Sequence, residues 1–487
     1  MFQRLYAWIL VSFLLSPFFI LFYLSPGKFS IDTAEAWWAF KNSAWQALFS
    51  AFLCLLLGSI CSMGLLWSQA RKIPIHATLI GLCLLPQFLP VVITLLGLMN
   101  GLQPFPMGLL GIVICHAFSY FGMASVLILN QINEVLPRYA EVAQISGANK
   151  FLFWRKIGFP LIRKDLLLIF VYLVAIFFSS FSIPLVVGGG RGTTLEVLIY
   201  EKMRLSTDWS PAIMLSFIQS GVLLLLSLIS IKSRASYSGG NRPPHFYGSV
   251  WGVLPLALIM AGFFAGFFSG LISGIEQIKS LEMYQEDLIY VSFNSLALAL
   301  ITYLFLRTFM YLFCWLIEVP PLLNTFLNGY IAPSVALTAF GFLVLLPMEH
   351  GWSYFKIPLV FLLLSFGAVY RLGWGERLNS LKSQVQVAWT LGANRSQILN
   401  HVVWPQMKSQ THWMAGLVAT WACGDFAVSR ILSTRDFTLP LVLESLLTSY
   451  RMGIASLLSL LLVVLCLLCF LIVVGLDYVN RRKSEGY

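Results

Sequence analysis

The chain has 487 residues, of which 59% are hydrophobic, 15% aromatic and 10% charged, with a formal net charge of +11. Soluble globular domains carry about a quarter of their residues as charges, so a soluble protein is excluded and an integral membrane protein is implied. Nucleic-acid binding is excluded as well, because no basic stripe with interleaved aromatics lies outside the membrane-proximal loops.

Crossing a hydrocarbon core about 30 Å thick takes roughly 20 apolar residues in a helix. Blocks of that kind predict twelve spans, at 6–25, 44–67, 78–100, 107–130, 166–187, 211–231, 249–273, 293–317, 328–347, 355–371, 411–432 and 453–476. The first block resembles a secretory signal, since Arg4 precedes an apolar run. No small-residue cleavage site precedes "SPGKFS", however, and the block is expected to stay as a span. Cys54, Cys61, Cys83, Cys115, Cys314, Cys423, Cys466 and Cys469 all fall inside apolar blocks, which gives neither a disulfide framework nor a metal site. The "CLLC" at 466–469 has metal-like spacing but no second pair, and the six histidines are scattered.

With a cytoplasmic N-terminus, and with span-end residues such as Arg430 counted on the side they adjoin, twelve spans place 20 of the 31 Lys and Arg in cytoplasmic segments, 10 on the opposite side and Arg307 within a span. The excess of Lys and Arg on one side sets that orientation, with both termini cytoplasmic. The net charge is therefore topological.

Two segments break the apolar pattern, "EVAQISGANKFLFWRKIGFPLI" at 141–162 and "QVAWTLGANRSQILNHVVWPQM" at 386–407. Gly147 falls over Gly392, Ala148 over Ala393, Asn149 over Asn394 and Pro160 over Pro405, all at an offset of 245. Downstream "TTLEVLIY" (193–200) lies over "FTLPLVLE" (437–444), and upstream "KNSAWQALFSAF" (41–52) resembles "FNSLALALITYL" (293–304). The chain is thus read as two repeats of six spans in parallel order, 1–231 and 249–487, joined by a flexible Gly-, Ser- and Pro-containing linker at 232–248. Each polar segment lies in the cytoplasmic loop between the fourth and fifth spans of its half, at 134–165 and 376–410. Apolar positions near helical spacing, a central glycine and a following proline predict two short surface helices separated by a Gly-centred turn, with Pro160 ending or bending the helix before it. A lone interfacial helix could simply lie on lipid headgroups; two copies with the same residues at matching positions argue for a docking surface.

These residues carry a family resemblance. The spacing E-A-A-x3-G-x9-I-x-L-P resembles the cytoplasmic motif of binding-protein-dependent ATP-binding-cassette permeases, met here by Glu141, Ala143, Gly147, Ile157 and Pro160. The second copy reads Gln386, Ala388, Gly392, Val402 and Pro405, with Gln386 where the family usually has Glu. The resemblance implies an all-α integral membrane protein with the type I importer permease fold in a bacterial inner membrane. It also implies that each loop forms a coupling helix docked on one of two copies of a cytoplasmic ATPase, and that a periplasmic binding protein delivers the solute. The ATPase residues then include Ala148, Asn149, Ala393 and Asn394 beside those of the motif. No G-x-x-x-x-G-K-[ST] occurs in the chain, so ATP and Mg are expected on the partner, and no cofactor, metal or catalytic residue is expected here.

Within the family, a fused two-half chain resembles thiamine and ferric-iron permeases, and "VVGGGRGTTLEVLIYEKM" (186–203) with "CGDFAVSRILSTRDFTLPLVLESLLTSYR" (423–451) look most like the thiamine type. Asp425 and Arg307 are candidates for the translocation path, since intramembrane ionisable residues are commonly functional; pairing of Asp425 with Arg430 and snorkelling of Arg307 are the structural alternatives. The outward loops 188–210 and 433–452 are candidate contacts for the binding protein. An ion-coupled secondary transporter leaves the doubled motif unexplained, and an integral-membrane enzyme finds no clustered catalytic set.

Overall fold

A computed structural model describes residues 2–24, 31–205, 209–230, 248–277, 285–321, 323–324, 327, 334–347, 350–433 and 437–485. Of the linker at 232–248, only Gly248 falls within the described residues. The described chain is helical throughout, as the composition predicts. In chain order the helices are α1 (Phe2–Leu14), α2 (Ser16–Leu24), α3 (Thr33–Ala70), α4 (His76–Phe88), α5 (Val91–Gly101), α6 (Leu109–Val135), α7 (Pro137–Ile145), α8 (Lys150–Phe153) and α9 (Phe159–Phe178). There follow α10 (Ser182–Val187), α11 (Leu195–Leu205), α12 (Ser210–Ser230), α13 (Val253–Ile275), α14 (Gln285–Cys314), α15 (Val335–Leu345) and α16 (His350–Val369). The last are α17 (Gly375–Ser380), α18 (Lys382–Thr390), α19 (Arg395–Gln397), α20 (Trp404–Gly424), α21 (Ala427–Leu432), α22 (Leu439–Thr448) and α23 (Met452–Glu485).

Among the described residues, seven helical stretches are long and apolar enough to cross a membrane, and eight if the bent pair α4–α5 forms one span. Among the described residues each predicted span falls largely on helix, but several are broken. The span predicted at 78–100 bends by 102° between α4 and α5, because Pro90 cannot donate to the preceding turn and Leu89 before it is held extended at ψ 139°. The span at 411–432 is interrupted at Asp425, extended at ψ 130°, between α20 and α21. The helix of the tenth span kinks at Gly373, whose φ of 102° lies in the left-handed region open to glycine. α9 is 20 residues long, yet it opens with Arg163, Lys164 and Asp165 and so starts outside the hydrocarbon.

The repeat recurs in the helix boundaries. α7 and α18 each have nine residues and start at 137 and 382; α10 and α21 each have six and start at 182 and 427; α5 and α15 each have eleven and start at 91 and 335.

The chain forms two compact units, one of residues 34–195 and 225–274, the other of residues 1–33, 196–224 and 275–487. In the first, α3 is the central helix. Asn42 donates from Nδ2 to the Thr193 carbonyl at 3.1 Å, Leu195 N donates to Ser43 Oγ at 2.7 Å, and Gln46 donates to the Phe177 carbonyl at 2.7 Å. His116 of α6 lies between Ser50 and Ser180, 3.4 and 2.8 Å away, and stacks on Phe177. Polar groups buried in this way must be paired, since nothing in the hydrocarbon can replace water. α3 also meets the chain leading into α13 so closely that a Cβ on Gly64 would fall 2.5 Å from the Gly252 carbonyl carbon; small residues of this kind let membrane helices approach where no hydrophobic force drives them together. An apolar cleft of about 310 Å³, lined by Leu53, Leu57, Gly97, Phe118 and Phe263 among others, offers a charged solute no polar partner.

In the second unit α14 takes the central place, and its contacts repeat those of α3. Asn294 Nδ2 donates to the Phe437 carbonyl at 2.9 Å and Leu439 N donates to Ser295 Oγ at 2.9 Å. The pairs Asn42–Ser43 and Asn294–Ser295 therefore bind equivalent loops. This unit has further contacts. Tyr303 is hydrogen-bonded to His412, and Phe309, Phe313, Phe366, Tyr370 and Trp374 form one aromatic cluster. Glu196, fully buried, accepts from Gln219 Nε2 at 2.6 Å, Ser334 Oγ at 2.8 Å and Ala336 N at 3.0 Å. Its carboxylate sits at the start of α15, where unpaired amides and the helix dipole favour an acceptor.

Candidate functional site

The two polar segments fold in the same way, and their common residues explain it. Pro137 opens α7, a position where its missing N–H costs nothing. The helix ends on Gly147, at φ 73°. The Gly147 amide donates to the Gln144 carbonyl at 3.0 Å and the Ala148 amide donates to the Ala143 carbonyl at 2.9 Å, the paired closure that a left-handed residue after a helix permits. Asn149 then starts the next helix, its side chain accepting from Leu152 N at 2.8 Å. Gly, Ala and Asn in sequence are a helix stop, a closure and a helix start.

The second segment repeats each contact. α18 ends on Gly392 at φ 80°. Gly392 N donates to the Trp389 carbonyl at 3.0 Å and Ala393 N to the Ala388 carbonyl at 3.1 Å. Asn394 accepts from Gln397 N at 2.9 Å, while Gln397 Oε1 accepts from Asn394 N at 2.8 Å, which completes a reciprocal cap that the first segment lacks a Gln or Glu to form.

Before Pro160 and Pro405 the regular α-helix gives way to a π-helical turn. Each proline sits in the first turn of the next helix, α9 or α20, where there is no intrahelical N–H to lose. Wide π-turns at Trp154–Gly158 and Ile398–Val403 carry the chain into them, and Ile157 and Val402 lie in those turns.

Glu141, Gly147, Asn149 and Pro160 are exposed in the first segment, as are Gln386, Gly392, Asn394 and Pro405 in the second. Ala148, Ile157, Ala388, Ala393 and Val402 are half-buried, and Ala143 is buried. The sequence reading puts Ile145 and Phe151 on one apolar stripe with Ala143, and the structure separates them, burying Ala143 and exposing the other two. Ile145 and Phe151 are 87% and 72% exposed, and Leu391 is 81% exposed. Large apolar side chains on a segment that leaves the apolar spans mark an interaction surface.

Asp425 and Arg307 are not brought together with these segments. Asp425 accepts from Val428 N at 2.8 Å, a cap on α21, and Arg430 pairs with Glu444 at 3.3 Å rather than with Asp425. The sequence offered Asp425 as the partner because it is near in the chain; the fold puts Glu444 of α22 closer. Arg307 is half-buried on α14. Among the described residues no group of three or more His, Cys, Asp or Glu could hold a metal ion, and all eight cysteines are free and buried.

The chain is similar to the thiamine transport system permease protein ThiP of Escherichia coli, 27% identical over 223 residues, which cover 42% of this chain and 41% of that protein. It is similar to that of Brucella abortus, 30% identical over 236 residues, covering 44% and 43%, and to that of Salmonella typhimurium, 29% identical over 212 residues, covering 40% and 39%. The chain thus spans about two fifths of the length of the curated relatives it matches. No solved structure matches it. Residues 60–235, which hold the first of the two segments, match the family described as the binding-protein-dependent transport system inner membrane component.

Proposed function

We propose that the chain is the membrane-spanning permease of an ATP-driven importer, moving a solute delivered by a periplasmic binding protein across an inner membrane. The observation that carries this is the doubled turn: Gly147 and Gly392, Ala143 and Ala388, and Asn149 and Asn394 make the same contacts in two exposed helical hairpins. Two equivalent projecting surfaces suit two copies of one cytoplasmic ATPase. Each hairpin is rigid, closed by backbone bonds and capped, and each runs without a loop into a long helix, α9 or α20, so that a push on the hairpin moves the helix. Glu141, Gln386, Ile157, Val402, Pro160 and Pro405 belong to these surfaces. The two grips are unequal, because Glu141 carries a charge that Gln386 does not. ATP and Mg sit on the partner, as the chain has no phosphate-cradling sequence.

The solute is thiamine or a thiamine-like cation; the names of the curated relatives support this. Both termini face the cytoplasm by the distribution of Lys and Arg, and the loops at 188–210 and 433–452 face the binding protein. Asp425 and Arg307 stay as candidates for the path, with capping of α21 as the competing role for Asp425. The test is ATP hydrolysis by the assembled complex in proteoliposomes: stimulation by thiamine-loaded binding protein supports the assignment, and hydrolysis indifferent to it overturns the assignment.

A further inference from the structure

The second hairpin is fastened to its own unit in a way that its sequence motif does not contain. Arg395, the first residue of α19, donates from Nε and Nη2 to the Trp315 carbonyl at 3.0 and 2.7 Å, and from Nη2 to the Leu316 carbonyl at 3.4 Å. These carbonyls lie one and two residues past the C-terminus of α14, where the helix dipole favours a cation. Close by, Tyr6 of α1 donates to the Leu312 carbonyl at 2.9 Å. One guanidinium thus joins the hairpin to the end of the central helix of the unit.

The end of α14 is itself unusual. Ile317 has φ 59° and is 1% exposed, and a β-branched residue in the left-handed region is strained. Just past α3 in the first half the chain is also left-handed, at Lys72 with φ 52°, and there the backbone closes the turn, Ile73 N donating to the Ser68 carbonyl at 3.1 Å. In the second half a side chain from the hairpin holds the Trp315 and Leu316 carbonyls. Lys150 stands where Arg395 stands, 245 residues earlier, and an ammonium cannot present the planar fork of a guanidinium.

We propose that Arg395 is a positioning residue for transport, a strut that delivers displacement of the second hairpin directly to the end of α14, in addition to the path through α20. The inference rests on the reading of 376–410 as a coupling segment. A strut of this kind needs short, directional bonds to a rigid element, which two charge-assisted hydrogen bonds to one carbonyl group provide.

The experiment uses the complete complex with its ATPase and binding protein in proteoliposomes, reading radiolabelled thiamine uptake and ATP hydrolysis together. Arg395→Ala is expected to retain the ATPase and its hydrolysis while uptake per ATP falls by about ten-fold, the scale of losing charged hydrogen bonds. Arg395→Lys, which keeps charge and reach without the fork, is expected to fall by about three-fold, and it decides the matter if Arg395→Ala does not assemble. Uptake per ATP unchanged in Arg395→Lys and in any Arg395→Ala complex overturns the strut while leaving the coupling segment standing. A wild-type complex whose hydrolysis ignores the loaded binding protein overturns the coupling reading and the strut with it.

Discussion

Asn149 and Asn394 cap equivalent helices 245 residues apart, the first accepting from Leu152 N at 2.8 Å and the second from Gln397 N at 2.9 Å. Removing such a cap costs about 1 kcal/mol. Asn394 also receives the Gln397 side chain on its own amide, so Asn394→Ala is expected to loosen its hairpin more than Asn149→Ala loosens the first. Amide hydrogen exchange of residues 150–153 and 395–397 reads this directly; equal protection in both variants and the wild type would contradict it.

Gly147 and Gly392 are required by backbone conformation and not by space, since a Cβ at either would meet nothing within 4 Å. Alanine there is expected to cost about 1–2 kcal/mol through the left-handed backbone alone, and asparagine less. Exchange of the Ala148 and Ala393 amides, which close the two turns, should rise in the order Gly, Asn, Ala.

Gly64 has the opposite requirement. Its Cβ would lie 2.5 Å from the Gly252 backbone, so Gly64→Ala is expected to push α3 away from the chain at Gly252 at a cost of about 1–3 kcal/mol. Gly81, whose Cβ would meet nothing within 4 Å, is the matched control, and Gly81→Ala should stabilise α4 by up to about 1 kcal/mol. Thermal unfolding of the detergent-solubilised chain separates these variants, with the midpoint falling for Gly64→Ala and rising or holding for Gly81→Ala.

Ser43 and Ser295 accept the amides of Leu195 and Leu439 at 2.7 and 2.9 Å in buried surroundings. Ser43→Ala or Ser295→Ala leaves a buried N–H without its acceptor, at about 1–3 kcal/mol each. The two losses should add in the double variant, because the sites lie in different compact units. A double variant no less stable than either single one contradicts the equivalence of the two sites.

Much of this was legible in the sequence, because the repeat doubles every signal. Asn42–Ser43 over Asn294–Ser295 and the shared Gly-Ala-Asn turned out to be the same hydrogen bonds made twice. What was not legible came from contacts that composition does not encode. Pro90 stood in plain view, yet hydropathy averages over a proline and reported one span where two helices meet at 102°. The π-turns before Pro160 and Pro405 were invisible to a 3.6-residue period. The partner of Arg430 was sought nearby in sequence and found at Glu444, and that of Arg395 lay 80 residues upstream at Trp315. The path residues stayed open, because neither Asp425 nor Arg307 joins a polar constellation that names a solute.

The central claim is that two equivalent hairpins receive two ATPase copies and drive import. The most direct measurement is thiamine uptake and ATPase retention by the reconstituted complex carrying Gly147→Arg together with Gly392→Arg, set against the wild type. The account predicts that the wild type accumulates thiamine only with ATP and loaded binding protein, and that the double variant, folded in the membrane, loses the ATPase and falls to background uptake. A double variant that holds the ATPase and transports as the wild type does would contradict it.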